Sequence, residues 1–352
     1  MNQIKNNLLY MAPNDGSDVR INKEIKSLSK EFNIYYLGIS QDENSSPFIA
    51  DYVVDSYVIR GKRKSLSTIT KLYYYFLFII CSKKISSVHV VNEEFGVIFS
   101  PFLCFFYTVL DVFDSNFLKK NIPANKWKFI KWLLYKPSNK VIVTDKNRYD
   151  YYPSFIKSKS VIIENYPNKL NYTYKNYIDT ETLKIAYVGS LSKVRGSLIV
   201  KNILDNSSKV SFLFAGWIYD EYTNLLINNN KDRIEYVGVV KQNEVNRLIN
   251  EKCDYILCVY EPSNDNNINA SPNKVYDAIQ TLTPVIINSE VKISNFVEKN
   301  QLGYVIPNFN NINYDVLINE LVKNKYIINE NLAAKFCWEN QEDTLISLHK
   351  TK

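Results

Sequence analysis

The chain has 352 residues, a formal net charge of +7, and a composition that is 46% hydrophobic and 14% aromatic. Such a chain can bury large cores and is long enough for two ordinary domains, so its composition excludes a disordered or fibrous protein. The five cysteines show no CxxC spacing, which argues against a disulfide framework or a zinc site and favours reduced thiols in a cytoplasm.

No segment of the sequence is predicted to cross a membrane or to direct secretion. The first residues, MNQIKNNLLYMAP, contain only a short apolar run before Pro13, which predicts a first β-strand. The longest apolar runs are LYYYFLFII after Lys71 and the block over residues 97–110. Both are too short for a membrane span or are broken by polar residues.

Apolar runs of strand length alternate with segments of helical periodicity, a pattern typical of parallel α/β sheets. A first series of strands is predicted at residues 7–12, 34–39, 88–92, 107–113, 141–145 and 161–164. A second series is predicted at residues 184–189, 211–215, 234–237, 255–259 and 284–287. The polar bridge NYPNKLNYTYKNYIDTETL between the two series is typical of a domain boundary. The pattern therefore predicts two Rossmann-like domains.

The basic excess of the chain lies in its first part. Residues 1–165 contain 23 Lys and Arg against 15 Asp and Glu, whereas the remainder is nearly neutral. Two clusters, RGKRK at 60–64 and KWKFIKWLLYK at 126–136, carry much of this charge. In the second cluster Lys128 and Lys131 stand among Trp127, Trp132 and Tyr135. Such a helix either lies on anionic lipid or packs its apolar side on the sheet with its lysines in solvent. Nucleic acid is a weaker interpretation, because no recognition motif accompanies the charge.

The second domain holds a glycine-rich arrangement that suits phosphate. Four glycines fall at the end of a predicted strand or the start of a helix, namely Gly189, Gly196, Gly216 and Gly238. In YVGSLSKVRGS, a strand ends at Gly189, Lys193 and Arg195 follow in a loop, and a helix begins near Gly196. Backbone N–H groups and the two cations could bind a phosphate there. Turn geometry alone would explain the same residues.

The stretch SPNKVYDAIQ predicts a helix capped by Ser271 or Asn273, with Lys274 and Asp277 on one face of its first turn. A cation at this place suits a diphosphate, and a carboxylate suits the paired hydroxyls of a sugar. The alternative is an exposed ion pair between two residues that are three positions apart.

Taken in order, these residues resemble the retaining glycosyltransferases of the GT-B fold, family 4, in which two Rossmann-like domains face each other across a cleft. The second-domain motifs that carry the resemblance are GSLSKVRG, FLFAGW, IEYVGVVKQNEVNRLI, SPNKVYDAIQTLTPVI and the closing segment FCWENQ. APNDGSDVRI, LDVFDS, VIVTDKNRYDYY and VIIENYPN are similar to first-domain segments of the family. The implied domains are residues 1–166, joined by a C-terminal helix at about 338–352 that packs back on them, and residues 183–337.

The resemblance implies a role for each matched residue. Arg195 and Lys274 would hold the donor diphosphate, Asp277 the ribose, and Val239 and Val240 would lie near the base. The complete implied donor-binding set is Gly16, Gly189, Ser190, Arg195, Gly216, Val239, Val240, Asn273, Lys274 and Asp277. The catalytic candidates are Asp114, Arg195 and Lys274, with no metal ligand among them.

The sequence departs from the family pattern at several positions. The family usually has two glutamates eight positions apart, where this chain has Asn269 and Asp277. Ser190 stands in place of an arginine, Phe113 in place of the histidine of a His-Asp pair, and Leu282 in place of a glycine. Asp114 remains as the first-domain carboxylate for the sugar or acceptor side, although a strand-end aspartate can equally cap the next helix.

The resemblance implies a hexosyltransferase that moves a sugar from a nucleotide-diphosphate sugar to a saccharide or a lipid-linked saccharide, in the synthesis of a cell-surface polysaccharide. No DxD motif is found, so we predict an enzyme without metal or cofactor. Its expected place is the cytoplasm, with peripheral contact to an anionic membrane surface and no nucleic-acid partner. The alternatives are a nucleotide-sugar epimerase of the same fold and a non-catalytic scaffold. The chain has only two histidines, His89 and His349, which counts against the epimerase.

Overall fold

The computed structural model describes residues 5–41, 49–63, 65–123, 126–173, 182–324 and 326–350. The chain divides into two compact units. One comprises Met1–Asn165 with Trp338–Lys352, and the other Tyr166–Cys337. Residues 174–181 of the predicted bridge and Lys64 of the first basic cluster lie outside the described residues.

The first unit is built on a seven-stranded sheet in which every pair of neighbouring strands is parallel. The strand order is β3-β2-β1-β4-β5-β6-β7, so the chain winds outward from β1 in both directions. The strands are β1 (Asn6–Met11), β2 (Phe32–Ser40), β3 (Asp55–Arg60), β4 (Ile85–Val91), β5 (Tyr107–Val112), β6 (Lys140–Val143) and β7 (Ser160–Ile162). This order is the doubly wound Rossmann arrangement.

Helices cover both faces of this sheet. They are α1 (Val19–Leu28), α2 (Leu66–Ser82), α3 (Asn92–Leu103), α4 (Asn116–Lys119), α5 (Lys128–Tyr135), α6 (Lys146–Tyr151) and α7 (Ser154–Lys157). Residues of α2, α3 and α5 share one core with the sheet. Residues of α1 and the C-terminal segment share the core of the opposite face.

The C-terminal segment contains α16 (Glu339–Ser347) and completes the first unit. Trp338 is buried, and its indole Nε1 donates a hydrogen bond to Ser27 Oγ on α1 at 2.9 Å. The ring of His349 lies 3.0 Å from Nδ1 of His89 on β4. The last residues of the chain therefore belong to the same core as the first strand.

The second unit repeats the architecture with six parallel strands in the order β10-β9-β8-β11-β12-β13. The strands are β8 (Leu183–Leu191), β9 (Val210–Ile218), β10 (Ile234–Tyr236), β11 (Tyr255–Cys258), β12 (Val285–Asn288) and β13 (Gly303–Ile306). The helices are α8 (Ser197–Asn206), α9 (Glu221–Asn229), α10 (Gln242–Lys252), α11 (Asp265–Ile268), α12 (Asn273–Thr281), α13 (Ser294–Lys299), α14 (Tyr314–Lys323) and α15 (Asn331–Lys335). The α8, α9 and α14 helices pack on one face, and α10, α12 and α13 on the other.

Each of the eleven predicted strands overlaps a strand of the structure, which confirms the α/β fold class. Two strands were not predicted, β3 and β13, and both are edge strands. The β3 strand, DSYVIR, is largely half-buried and partly polar, so it lacks the apolar run that marks the central strands. The four-residue β13 begins with a glycine, which weakens the strand signal. All five cysteines carry free thiols.

Candidate functional site

The carboxyl ends of β8 and β11 form the topological switch point of the second sheet. The chain leaves β8 through a 3-10 turn, Lys193–Arg195, and enters α8, which packs on one face of the sheet. It leaves β11 through α11 and enters α12, which packs on the opposite face. Doubly wound sheets bind ligands at this place, because the two loops diverge and leave a crevice between them.

Three glycines keep the edge of the sheet open beside this crevice. A Cβ atom on Gly216 of β9 would lie 1.9 Å from the carbonyl oxygen of Gly189, so no side chain fits there. Gly189 and Gly238 have φ angles of 94° and 77°, and a Cβ on either would meet no atom within 4 Å. The positive φ angles explain the glycines, and the empty space above two of them lets a ligand approach the backbone.

Two cations converge on the switch point. Arg195 lies at the end of the 3-10 turn, with its Cζ 6.0 Å from the ring centroid of Tyr260. Lys274 lies in the first turn of α12, with its Nζ 5.7 Å from the ring centroid of Tyr187. Among the residues that the structure describes, no carboxylate forms an ion pair with either side chain. Aromatic faces therefore flank both charges, which leaves them able to bind an anion.

The electrostatics of Lys274 point the same way. Burial lowers the pKa of Lys274 and the positive charge of Arg195 lowers it further, while the smaller effect of the Asp277 charge raises it. Burial also raises the pKa of the neighbouring Cys258 thiol to about 12, so this group is neutral and does not compensate the lysine. An anion bound between the cations would offset both costs.

The N-terminus of α12 is open to such an anion. Its N-cap residue is Pro272, and no side-chain hydrogen bond caps the helix. The predicted caps are therefore wrong: Asn273 is the first residue of the helix, and the Ser271 hydroxyl lies 3.0 Å from the Tyr276 hydroxyl. A helix of nine residues without a side-chain cap directs the positive end of its dipole toward the crevice.

Asp277 lies one turn along α12 from Lys274 and is only 6% exposed. The alternative of an exposed ion pair, which the spacing allowed, is therefore wrong. The structure thus places a buried carboxylate on the same helix as the cation, one turn away from it.

Asn269 carries an unsatisfied acceptor just before α12. Its side chain is 3% exposed, and its Nδ2 donates to the Asp265 carbonyl oxygen at 2.7 Å. This bond orients the amide so that Oδ1 is buried without a hydrogen-bond partner among the described residues. A buried amide oxygen without a donor is costly, and a hydroxyl of a bound ligand would satisfy it.

The other predicted donor contacts lie along the same edge of the second unit. Val239 is exposed after β10, whereas Val240 is partly buried against the core. Ser190 lies on β8 directly after Gly189 and is half-buried. The sequence did not single out Tyr187 and Tyr260, which flank the cations. No sequence signal marked this role, because both tyrosines lie in or next to apolar strand segments that are typical of a core.

In the first unit, Asp114 follows β5 and is held by cations. Its Oδ1 lies 3.2 Å from Arg148 Nη2, and its Oδ2 lies 3.2 Å from Lys119 Nζ. The helix that follows is capped by Ser115, whose hydroxyl accepts a hydrogen bond from Phe117 N. The capping role that we considered for Asp114 is therefore wrong, and its half-exposed carboxylate lies at the carboxyl edge of the sheet.

The loop between β1 and α1 contains Gly16 and leads to a buried arginine, Arg20. Gly16 has a φ of 89°, and its N–H donates to Asn14 Oδ1 at 2.8 Å. Arg20 does not lie in an open loop but is buried, with its guanidinium 4.8 Å from the ring centroid of Phe113. Arg20 thus belongs to the core next to the loop and not to its surface.

Arg20 belongs to a buried cluster with Glu24, His89 and Asp111. Its Nε lies 2.7 Å from Glu24 Oε1 and its Nη2 3.0 Å from Asp111 Oδ2, while His89 Nε2 lies 3.4 Å from Glu24 Oε2. The two carboxylates and the imidazole are close enough to hold a metal ion. The guanidinium already binds both carboxylates, and the Tyr10 hydroxyl donates to Glu24 at 2.6 Å. We therefore assign the cluster to the stability of the first unit.

The helix α5 exposes several apolar side chains beside lysines and buries one lysine. Lys131 is 3% exposed, and its Nζ donates to the Pro123 carbonyl oxygen at 2.8 Å. Phe129 is 72% exposed, and Ile130 and Leu133 are also exposed. Three apolar side chains of α5 thus point outward beside exposed lysines, whereas Leu134, Tyr135 and one lysine point inward. Among the described residues, no helix is long and apolar enough to cross a membrane.

Comparison with known proteins places this architecture in the GT-B fold. No protein-family model matches the sequence, and no curated protein matches it. Sucrose-phosphate synthase from Thermosynechococcus elongatus is similar over 98% of both chains, with 13% identity and a TM-score of 0.73. Anabaena HepE, solved in complex with UDP and glucose, is similar over 97% of this chain and 98% of its own, with 12% identity and a TM-score of 0.69.

A glycosyltransferase from Rickettsia africae has 14% identity and a TM-score of 0.65 over 99% of this chain and 98% of its own. At such identities the similarity lies in the fold. The chain has the GT-B fold, with two Rossmann-like domains.

Proposed function

We propose that this protein is a retaining glycosyltransferase of the family 4 type, which takes its sugar from a nucleotide-diphosphate donor. The observation that carries the proposal is the pair Arg195 and Lys274, which face the switch point of the second sheet over aromatic rings rather than carboxylates. Solved proteins of the same fold support it, since HepE binds UDP and glucose.

The protein supplies positive charge at the place where the proposed reaction develops negative charge. Cleavage of the sugar–phosphate bond leaves negative charge on the diphosphate, which Arg195, Lys274 and the uncapped N-terminus of α12 would stabilise. Because these groups are part of the chain, we propose that no metal and no cofactor is required. Turnover should therefore persist in excess EDTA, and a loss that Mg²⁺ or Mn²⁺ restores would refute this part.

The remaining donor contacts follow from the same placement. The backbone at Gly189, Ser190, Gly216 and Asn273 would approach the phosphates, and Asp277 would accept hydrogen bonds from the ribose hydroxyls. Val239 and Val240 would lie near the base. The Oδ1 of Asn269, which has no donor among the residues that the structure describes, would accept a hydrogen bond from a hydroxyl of the transferred sugar.

The first unit is proposed to receive the acceptor, a saccharide or a lipid-linked saccharide of cell-surface polysaccharide synthesis. Gly16, which belongs to the proposed donor-binding set, and Asp114, which is proposed for the acceptor or sugar side, both lie at the carboxyl edge of its sheet. The exposed apolar side chains of α5, with Lys126 and Lys128 beside them, suit peripheral contact with an anionic membrane on its cytoplasmic face.

Thermal stabilisation by a panel of nucleoside diphosphates and nucleotide sugars is the first test, since a ligand of the folded state raises the unfolding temperature by mass action. Turnover of the stabilising donor then discriminates the functions. Hydrolysis or transfer supports the glycosyltransferase, whereas binding without any turnover indicates a scaffold.

Interconversion of the sugar without transfer would indicate an epimerase. One solved protein of similar fold, described as a putative UDP-N-acetylglucosamine 2-epimerase from Listeria monocytogenes, has a TM-score of 0.57. His89 and His349, the only histidines of this chain, are buried together in the first unit and are not available as acid and base in an open site.

A further inference from the structure

An exposed tryptophan lies on β9, the strand next to the one that leads into the Arg195 loop. Trp217 is 57% exposed although it lies within β9, and it is the only tryptophan between residues 166 and 337. Large aromatic side chains normally gain stability by burial, so an exposed indole on a rigid strand is a candidate for stacking on a bound ligand.

The direction of the Trp217 side chain follows from the strand. Side chains two residues apart share a face, and Ala215 belongs to the core beneath α10 and α12. Trp217 therefore leaves the sheet on the face of α12, the helix that carries Lys274. Its Cα pairs with that of Ser190 on β8, directly before the loop that carries Arg195.

The spacing suits one nucleotide. Neighbouring strands lie about 4.8 Å apart, so the indole stands one strand to the side of the β8–β11 crevice. A ribose together with a phosphate is long enough to bridge this spacing between neighbouring strands. A Cβ atom on Gly189 or Gly238 would meet no atom within 4 Å, and the exposed Val239 follows β10. An exposed indole on the strand next to these open glycines suits a ligand that carries a flat ring beside its phosphates.

We propose that Trp217 stacks on the nucleobase of the donor and thereby sets affinity for the nucleoside part of the ligand. The inference rests on the proposed function, because the cations at the switch point must hold the diphosphate for the base to reach the indole. Stacking of a base on an aromatic side chain is sequence-tolerant and does not require a particular base.

The test compares nucleoside diphosphates with inorganic diphosphate. Calorimetric titration of the wild type with UDP, GDP, ADP and inorganic diphosphate identifies the preferred nucleotide. Trp217→Ala should weaken binding of that nucleotide by about 5- to 150-fold and leave inorganic diphosphate binding unchanged. Trp217→Phe should retain most of the affinity. Tyr219→Ala, which truncates an exposed aromatic residue just after β9, is the matched control and should bind like the wild type.

Fluorescence gives an independent readout. The nucleotide should quench part of the wild-type emission, and this part should be missing in Trp217→Phe, which keeps the other three tryptophans.

The proposal is overturned if Trp217→Ala binds the nucleotide as tightly as the wild type while its thermal unfolding is normal. A change of oligomeric state without a change of nucleotide affinity would also overturn it and would assign the indole to a contact between copies. If the wild type binds neither nucleotide nor inorganic diphosphate, the phosphate site itself is wrong and both proposals fall.

Discussion

Replacement of Lys274 by methionine tests the phosphate site with little risk to the fold. The ammonium has no carboxylate partner among the described residues, and burial and Arg195 both lower its pKa. These two effects outweigh the opposing effects of Asp277 and Cys258, so the charged lysine does not stabilise the fold on balance and Lys274→Met should unfold at an equal or higher temperature. A hydrogen bond to a charged group contributes about 1.5–3 kcal/mol, so nucleoside diphosphate affinity should fall about 10- to 150-fold.

Calorimetric titration at neutral pH measures this loss. The control is Lys201→Met, which removes an exposed lysine of α8 that pairs with Asp205 and should leave the affinity unchanged. The wild-type affinity should also be full below the lowered pKa of Lys274 and decline as the pH rises through it, because the lysine then loses its proton. An unchanged dissociation constant for Lys274→Met, with intact folding, would refute the site.

Three further predictions concern the fold and the surface. Gly216→Ala should lower the free energy of unfolding, measured with urea, by about 2–6 kcal/mol, because the added Cβ overlaps the Gly189 carbonyl oxygen and the φ angle is positive. Gly189→Ala should lower it by only about 1–3 kcal/mol, since this position has the backbone strain without the overlap. Equal losses would contradict the close approach of Gly216 to the Gly189 carbonyl oxygen. Phe129→Ser with Leu133→Ser should release the protein from anionic liposomes in co-sedimentation while donor turnover is unchanged, and a wild type that does not sediment would refute the membrane contact. Burial and the charge of His89 lower the pKa of His349 well below 6.5, so the free energy of unfolding should decline as the pH falls below about 6.5. His349→Leu should remove this pH dependence. A wild-type free energy of unfolding that does not change over this pH range would contradict the docking of the C-terminal segment.

The sequence predicted those parts of the fold that depend on local pattern. The central strands β1, β8 and β11 are apolar runs bounded by turn residues, and such runs have few other structures open to them. Gly189 and Gly216 were identified for the same reason, since a glycine at a strand end usually marks backbone that no other residue can adopt.

Other features depend on contacts distant in sequence and could not be read from a pattern. Arg20 lies in the segment APNDGSDVRI, whose local pattern gives no sign that Asp111, 91 positions away, holds the guanidinium in the core. Lys131 looked solvated, but a carbonyl of the preceding turn and the ring of Phe117 hold it inside. The Tyr187 ring under Lys274 likewise brings together side chains that are far apart along the chain.

The interleaving of the two units along the chain has a consequence for biosynthesis. Residues 166–337 are contiguous, so the second unit has its whole sequence as soon as that stretch leaves the ribosome. The first unit, though translated earlier, lacks Trp338 and His349 until residues 338–349 emerge. Because domains generally fold as they are synthesised, the N-terminal sheet should wait while the second unit folds, with one of its apolar faces covered by α1 but not yet by the C-terminal segment. Its exposure to chaperones and to aggregation during translation should therefore be longer than its position at the N-terminus would suggest.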